Sequence, residues 1–213
     1  MSIRSFVALC LPNSLATRVG DDIARLSVQD KEARSRWVDE DNLHVTLAFL
    51  GDCEQSQLDS LDWHLEEIAS SCPSVELKVD SLSLFPYGKR PKLLAAILSP
   101  GDALVELHHQ VERAAKDIGI YVEKRRFVPH ITLGRLRGHG RREMSLPSVS
   151  IGMSDIAPAM ALFESTLTQD GAIYDELFRY DLVPDVDDLL TDGVDLDDSE
   201  SQFIGLNAAQ GQK

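Results

Sequence analysis

The sequence has few aromatic residues, few cysteines and no long apolar run. Aromatic residues make up only 6% of the 213 positions. The three cysteines, Cys10, Cys53 and Cys72, lack the spacing of a metal or redox site, so we expect reduced thiols. No apolar run approaches the roughly 20 residues of a membrane span. Because 43% of the residues are hydrophobic, the chain can still form a core, which excludes wholesale disorder.

The N-terminal segment lacks the features of a secretory signal. Its apolar stretch, residues 6–11, is short and is interrupted by Pro12, and no small-residue cleavage site follows closely. We therefore predict that this stretch is the first β-strand and that the protein is cytoplasmic.

Positive charge is scarce overall but locally concentrated. The chain carries 21 Lys and Arg against 35 Asp and Glu, a net charge of -14, which argues against a general nucleic-acid coat. Residues 184–213 contain eight acids and one base, so we predict a disordered acidic tail after a folded domain at residues 1–183. In contrast, residues 124–142 contain seven bases and no acid, which favours an anionic ligand. These bases are Lys124, Arg125, Arg126, Arg135, Arg137, Arg141 and Arg142.

Strand-like and helix-like patterns alternate along residues 1–183. Apolar residues at helical spacing predict three helices: one over residues 14–28, one capped by Asp52 with Gln55 completing a capping box, and one from an Asp102 cap to Gly119. Strand patterns cover residues 6–11, 43–50, 75–84, 93–98, the vicinity of residue 121, and residues 128–136, 161–168 and 173–182. This arrangement predicts an α+β fold with antiparallel sheets and a few covering helices.

One short pattern, His-apolar-Thr-Leu, occurs twice. Residues 44–47 form the first motif and residues 130–133 form the second. Alternate side chains of a strand share a face. His44 and Thr46 should therefore project together, with Phe49 among the residues that point into the core, and His130 and Thr132 should project in the same way. A repeat at this distance indicates two similar lobes that face each other across a cleft.

Two imidazoles and two hydroxyls at a cleft suit phosphodiester chemistry. Histidine can serve as acid or base near neutrality, and threonine hydroxyls can bind the non-bridging oxygens. Neither motif contains the further Asp, Glu or Cys ligands of a His-based metal site, so we expect neither metal nor cofactor. His108 and His109 are neighbours on the third helix and should point in different directions, which makes them a poor metal pair. We place Trp37 and Phe127 in the core.

The residues around the two motifs resemble those of the 2H phosphoesterases. Within that superfamily, they are similar to the bacterial and archaeal RNA 2′,3′-cyclic phosphodiesterases, historically named 2′-5′ RNA ligases. The resemblance covers most of residues 1–183. It rests on the paired motifs and their flanks, namely residues 4–8, Trp37 and Val38, residues 127–129, Gly134 and Arg135, residues 164–167, Tyr174 and Tyr180.

This resemblance implies a bilobal, pseudosymmetric fold and metal-independent hydrolysis of an RNA-terminal 2′,3′-cyclic phosphate to a 2′-phosphomonoester. His44 would then be the proton donor to the leaving 3′ oxygen and His130 the acceptor that activates water, although pseudosymmetry makes the two roles easy to exchange. Thr46, Thr132 and Arg135 would bind the phosphate. Strict alternation would turn Arg135 away from His130, so we predict a β-bulge at Gly134.

Other interpretations stay open at this point. The same scaffold could act on small cyclic nucleotides or on another phosphodiester, with weak 2′-5′ ligation as a side reaction. Alternatively, the chain could be a non-catalytic module that binds RNA ends or nucleotides. A binder would keep most of its affinity in His44→Ala, whereas an enzyme would lose turnover. We expect RNA 3′ ends or small cyclic nucleotides as partners, no membrane association, and a monomer.

Overall fold

The computed structural model describes residues 2–30, 35–86, 91–123, 126–137, 152–168 and 171–184. These ranges contain nine β-strands, three α-helices and one short 3-10 turn. In chain order, the strands and α-helices are β1 (Ser2–Cys10), α1 (Asn13–Gln29), β2 (Ser35–Trp37), β3 (His44–Glu54), α2 (Gln55–Ala69), β4 (Val75–Phe85), β5 (Leu93–Leu98), α3 (Asp102–Asp117), β6 (His130–Leu136), β7 (Ser154–Ala157), β8 (Ala159–Thr168) and β9 (Gly171–Asp181).

All nine strands belong to one antiparallel sheet in which the two motif strands are central neighbours. The order is β7-β4-β5-β6-β3-β1-β8-β9, and β2 also pairs with β6. A single residue pair, Val45 with Ile131, joins β3 to β6. The sheet therefore consists of two halves, each with one motif on its innermost strand. This arrangement confirms the predicted α+β fold with two antiparallel lobes.

The three helices and one face of the sheet share a single hydrophobic core. The buried stripes of the helices join Val45 and Leu47 of β3 and Ile131 and Leu133 of β6 in one cluster. Each fully buried aliphatic side chain contributes about 1.5–3 kcal/mol of transfer free energy. Because the core occupies the face that carries these residues, their alternate neighbours lie on the opposite face. We call that opposite face the open face; the cleft between the two halves is predicted on this face.

Two helix starts differ from their predicted positions. α2 is capped by Glu54, whose capping box is completed by Gln57, rather than by Asp52 with Gln55. The reason is that Asp52 pairs with Arg4 in the β1–β3 ladder, which keeps the chain extended. α3 has Gly101 at its N-cap, and Asp102 is its first helical residue, where a carboxylate is favourable to the helix dipole.

Other details of the fold also bear on the predictions. The three cysteines are buried and unpaired, and Trp37 and Phe127 pack against the core, all as predicted. The described residues around Tyr121 form no strand, and the side chain of Tyr121 is exposed. The short strands β2 and β7 were not predicted. Among the described residues, no helix is both long and apolar enough to cross a membrane. The predicted acidic tail lies outside the described residues beyond Pro184.

Candidate active site

The two motifs present their polar side chains side by side on the open face. His44 and Thr46 of β3 are half-buried and alternate with fully buried residues, and His130 and Thr132 of β6 do the same. From each histidine, the burial of six successive residues follows one pattern: half-buried, buried, half-buried, buried, buried, exposed. The repeat in the sequence is thus a repeat in local structure.

A β-bulge follows the threonine of each motif. Leu47 has no partner in the β1–β3 register, and Leu133 has none in the β5–β6 register. An extra residue shifts the alternation of side chains by one. Arg135 therefore lies on the same face as His130, as the predicted bulge requires. Phe49 occupies the equivalent position after the first motif; it is 61% exposed, so its predicted place in the core is wrong.

Both imidazole rings are held by the same kind of hydrogen bond. Nδ1 of His44 lies 2.8 Å from the carbonyl oxygen of Asn42, and Nδ1 of His130 lies 2.7 Å from that of Val128. A carbonyl can only accept, so each Nδ1 carries the proton and donates it. In the neutral ring Nε2 is then left with a free lone pair. Each ring thus has one nitrogen available for proton transfer.

The surroundings of the two histidines differ. Among the described residues, His130 has one aromatic neighbour, Phe85, with ring centroids 4.7 Å apart. His44 has three, at centroid distances of 5.0 Å for Phe6, 5.3 Å for Tyr174 and 6.3 Å for Phe163. As far as the described residues show, the surroundings of His44 are therefore the more aromatic ones.

Burial lowers the pKa of both histidines. The pKa of His44 is lowered to about 4, mainly by burial and also by the charges of His130 and Arg135, against the opposing effect of the hydrogen bond to Asn42. The pKa of His130 is lowered by burial and by Arg135. Both shifts favour the neutral form of the ring in the free protein. A bound phosphate anion would raise both pKa values, since opposite charge favours the protonated form.

Only part of the predicted basic surface belongs to the described residues. Arg126, Arg135 and Arg137 are exposed. Of these, Arg135 lies close enough to influence both histidines. Four of the predicted bases, Lys124, Arg125, Arg141 and Arg142, lie outside the described residues.

His108 is a site-supporting residue that sequence reasoning missed. It is buried on α3, its Nδ1 lies 2.8 Å from the carbonyl oxygen of Leu47, and its ring stacks on Phe127 at 3.9 Å. Leu47 is the extra residue of the first bulge, and Phe127 directly precedes Val128, which holds His130. The sequence feature that could have revealed its burial is its position on the apolar stripe of α3, between Leu107 and Val111.

The described residues include one group that offers three metal ligands, away from the open face. It consists of His108, His109 and Glu112 on α3, with ligand atoms within 4.8 Å of one another. We predicted that the two histidine side chains point in different directions, but their ligand nitrogens lie close together. Glu112 already accepts a hydrogen bond from Lys116 Nζ at 2.7 Å. Since α3 covers the core side of the sheet, this group does not contribute to the chemistry of the motifs.

Comparisons with known proteins find similar sequences along most of the chain. The model of the LigT-like phosphoesterase family matches residues 11–94 and 97–177. The RNA 2′,3′-cyclic phosphodiesterase of Aquifex aeolicus is 30% identical over 182 residues, which are 81% of this chain and 93% of that protein. The Bacillus subtilis protein of the same name is 30% identical over 148 residues, 69% of this chain and 80% of its own length.

Solved structures show the same fold. The crystal structure of Escherichia coli LigT with 3′-AMP is 25% identical and superposes with a TM-score of 0.70, covering 85% of this chain and 99% of that one. The TT0787 protein of Thermus thermophilus superposes with a TM-score of 0.72 at 20% identity, over 86% of this chain and all of that one; it supports the fold alone.

Proposed function

The chain belongs to the LigT-like phosphoesterase family, and on that premise we propose that it hydrolyses an RNA-terminal 2′,3′-cyclic phosphate to a 2′-phosphomonoester. Family membership makes the chain a hydrolase and disfavours the alternative of a non-catalytic binding module. The RNA substrate is inferred from the names of the relatives. The observation that carries the proposal is the pair of His-x-Thr strands on one face, each with a free Nε2.

In the proposed reaction, Nε2 of His130 accepts a proton from water as the water oxygen forms a bond to phosphorus. The bond from phosphorus to the 3′ oxygen breaks, and protonated His44 donates its Nε2 proton to that oxygen. Thr46 and Thr132 donate hydrogen bonds to the non-bridging oxygens, while Arg135 balances their charge. Exchange with solvent then returns a proton to His44 and removes one from His130.

The assignment of His44 as donor requires its ring to be protonated when the substrate is bound. Burial lowers the pKa of His44 to about 4, so the neutral ring is favoured in the free protein. The bound phosphate would supply the negative charge that protonates it. No step in this scheme requires a metal, because the two histidines transfer the protons and Arg135 supplies the positive charge.

The test is hydrolysis of a short oligonucleotide that ends in a 2′,3′-cyclic phosphate, in the presence of EDTA, with the 2′- and 3′-phosphate products resolved. We expect the 2′-phosphate. A 3′-phosphate product would reverse the leaving oxygen, and loss of activity in EDTA with recovery on adding a divalent cation would overturn metal independence. Hydrolysis of cyclic mononucleotides but not of the oligonucleotide would favour the small-nucleotide alternative, which is worth testing because Escherichia coli LigT was crystallised with the mononucleotide 3′-AMP.

A further inference from the structure

Two arginines lie directly opposite each other on neighbouring strands. Arg36 of β2 pairs with Arg135 of β6 in the antiparallel register. Side chains at such positions share a face, with Cβ atoms about 4.5–5.5 Å apart, and like charges there are destabilising. Within the part of the chain that the structure describes, neither guanidinium has a carboxylate in an ion pair. Among the described residues, the pair is therefore a concentrated positive charge without a carboxylate partner.

The register places Arg36 on the open face. Along β5, alternate residues pair with His130, with Thr132 and, past the bulge, with Arg135, so these three share a face. Arg36 shares it too, as the cross-strand partner of Arg135. Its neighbour Trp37 points the other way and packs against the core, as strand alternation requires.

Arg36 also reaches from one half of the sheet to the other. Its guanidinium packs over Gly171, the first residue of β9, so closely that a β-carbon there would overlap it. β9 is the edge strand of the half that carries the first motif, whereas β2 belongs to the half that carries the second. The Arg36 side chain thus contacts the first residue of β9, which belongs to the other half of the sheet.

Arg36 and Arg135 differ in their distance from the reacting groups. Arg135 stands on the same strand as His130 and Thr132, three positions after the threonine, and its charge lowers the pKa of both histidines. Arg36 lies one strand further away, on β2, as the cross-strand partner of Arg135. Arg36 is consequently placed beyond the position where the cyclic phosphate would bind. An RNA end has a further anion there, because the 5′ oxygen of its last nucleotide carries the preceding phosphate of the chain.

We propose that Arg36 binds the phosphate on the 5′ side of the terminal nucleotide and thereby makes the site selective for RNA chains over cyclic mononucleotides. This inference rests on the proposed function. Two successive phosphates of one strand would neutralise the two opposed arginines, Arg135 at the cyclic phosphate and Arg36 at the next one. A guanidinium suits this role because it donates two parallel hydrogen bonds to phosphate.

The test uses three substrates: a nucleoside 2′,3′-cyclic phosphate with a free 5′ hydroxyl, a dinucleotide that ends in the cyclic phosphate, and the same dinucleotide with an uncharged methylphosphonate linkage. We expect the wild type to prefer the charged dinucleotide. Arg36→Gln should lower kcat/KM for that substrate about tenfold or more and leave the other two unchanged. Arg113→Gln, which removes an exposed arginine of α3 paired with Glu106, is the matched control.

Each outcome bears on the inference. An equal loss on all three substrates would assign Arg36 to the cyclic phosphate or to folding, and no loss would exclude a contact; either result overturns the inference. The wild-type comparison needs no variant, so equal rates on the charged and methylphosphonate dinucleotides also overturn it. In these cases the proposed function stands, because the cyclic phosphate is still hydrolysed. A wild type that hydrolyses none of the substrates would overturn both.

Discussion

The two motif strands are alike up to the bulge and differ immediately after it. Both present a histidine and a threonine, and both contain an extra leucine at the bulge. In both, the residue two positions after that leucine is exposed. That residue is Phe49 in the first half and Arg135 in the second. The repeat thus supplies a matched pair of histidines, while the exposed position after the bulge is aromatic in one half of the open face and cationic in the other. The two halves of the open face therefore differ in chemistry although their motifs repeat.

The carbonyl oxygens at the two bulges accept hydrogen bonds from different kinds of donor. The carbonyl oxygen of Leu133 accepts a hydrogen bond from the backbone N–H of Val38 at 3.0 Å. The carbonyl oxygen of Leu47 is bonded instead by the His108 side chain. A backbone donor belongs to the sheet itself, whereas a side-chain donor depends on one residue of α3. The first half is therefore the more sensitive to substitution.

Removing either histidine should have the largest effect on activity. His44→Ala and His130→Ala should each lower kcat by about 10²–10⁴-fold, the usual contribution of a general acid or base. A substrate whose 3′ bridging oxygen is replaced by sulfur separates the two roles, since a thiolate leaves without protonation. It should restore turnover in His44→Ala only, as measured by single-turnover kinetics. Rescue of His130→Ala instead would exchange the donor and the acceptor.

Phe49 and Arg135 occupy equivalent positions after the two bulges, but their substitution should have unequal effects on activity. Arg135→Gln should lower kcat/KM by about 10²-fold, because a charge-assisted contact to phosphate is lost. Phe49→Leu keeps an apolar side chain and should have a much smaller effect. Steady-state kinetics on the cyclic-phosphate oligonucleotide measure both. Similar losses in the two variants would contradict the assignment of phosphate binding to the second half.

The pH dependence of kcat/KM should be bell-shaped with both limbs on the acid side of 6.5. The pKa of each histidine is lowered, to about 4 for His44. One ring must be protonated and loses that proton as pH rises; the other must be neutral and gains a proton as pH falls. Above pH 6.5 the value should fall about tenfold per pH unit. In Arg135→Gln both limbs should move to higher pH, and an unchanged profile would show that Arg135 does not act on the rings.

Substitution of His108 should have the smallest effect, and it tests specifically how the bulge of the first half is stabilised. His108→Leu leaves the carbonyl of Leu47 without its partner, which should lower the free energy of unfolding by about 1–3 kcal/mol. Denaturant unfolding measures this change, and His109→Leu, at the exposed neighbouring position, is the control. Equal stability of the two variants would mean that the hydrogen bond to Leu47 contributes nothing.

Sequence patterns located much of the fold and the central residues of the site. β5 falls at its predicted residues, β4 and α1 within one residue at either end, and the four motif side chains share a face as alternation required. The errors arose where pairing with a distant strand overrides the preference of the local sequence. The β1–β3 ladder displaced the cap of α2, and the first bulge exposed Phe49 although the matching bulge at Gly134 was anticipated. The roles of the site residues and the monomeric state stay predictions.

By itself, the sequence determined which side chains could carry the chemistry and that each histidine would accompany a threonine, because alternation along a strand is a local property of the backbone. Only the tertiary structure decided that β3 and β6 are neighbours, that Arg36 lies opposite Arg135, and that His108 reaches Leu47. It also decided how far burial lowers the pKa of His44. These features depend on strand register and on exclusion of water, which arise only when segments far apart in the chain pack together.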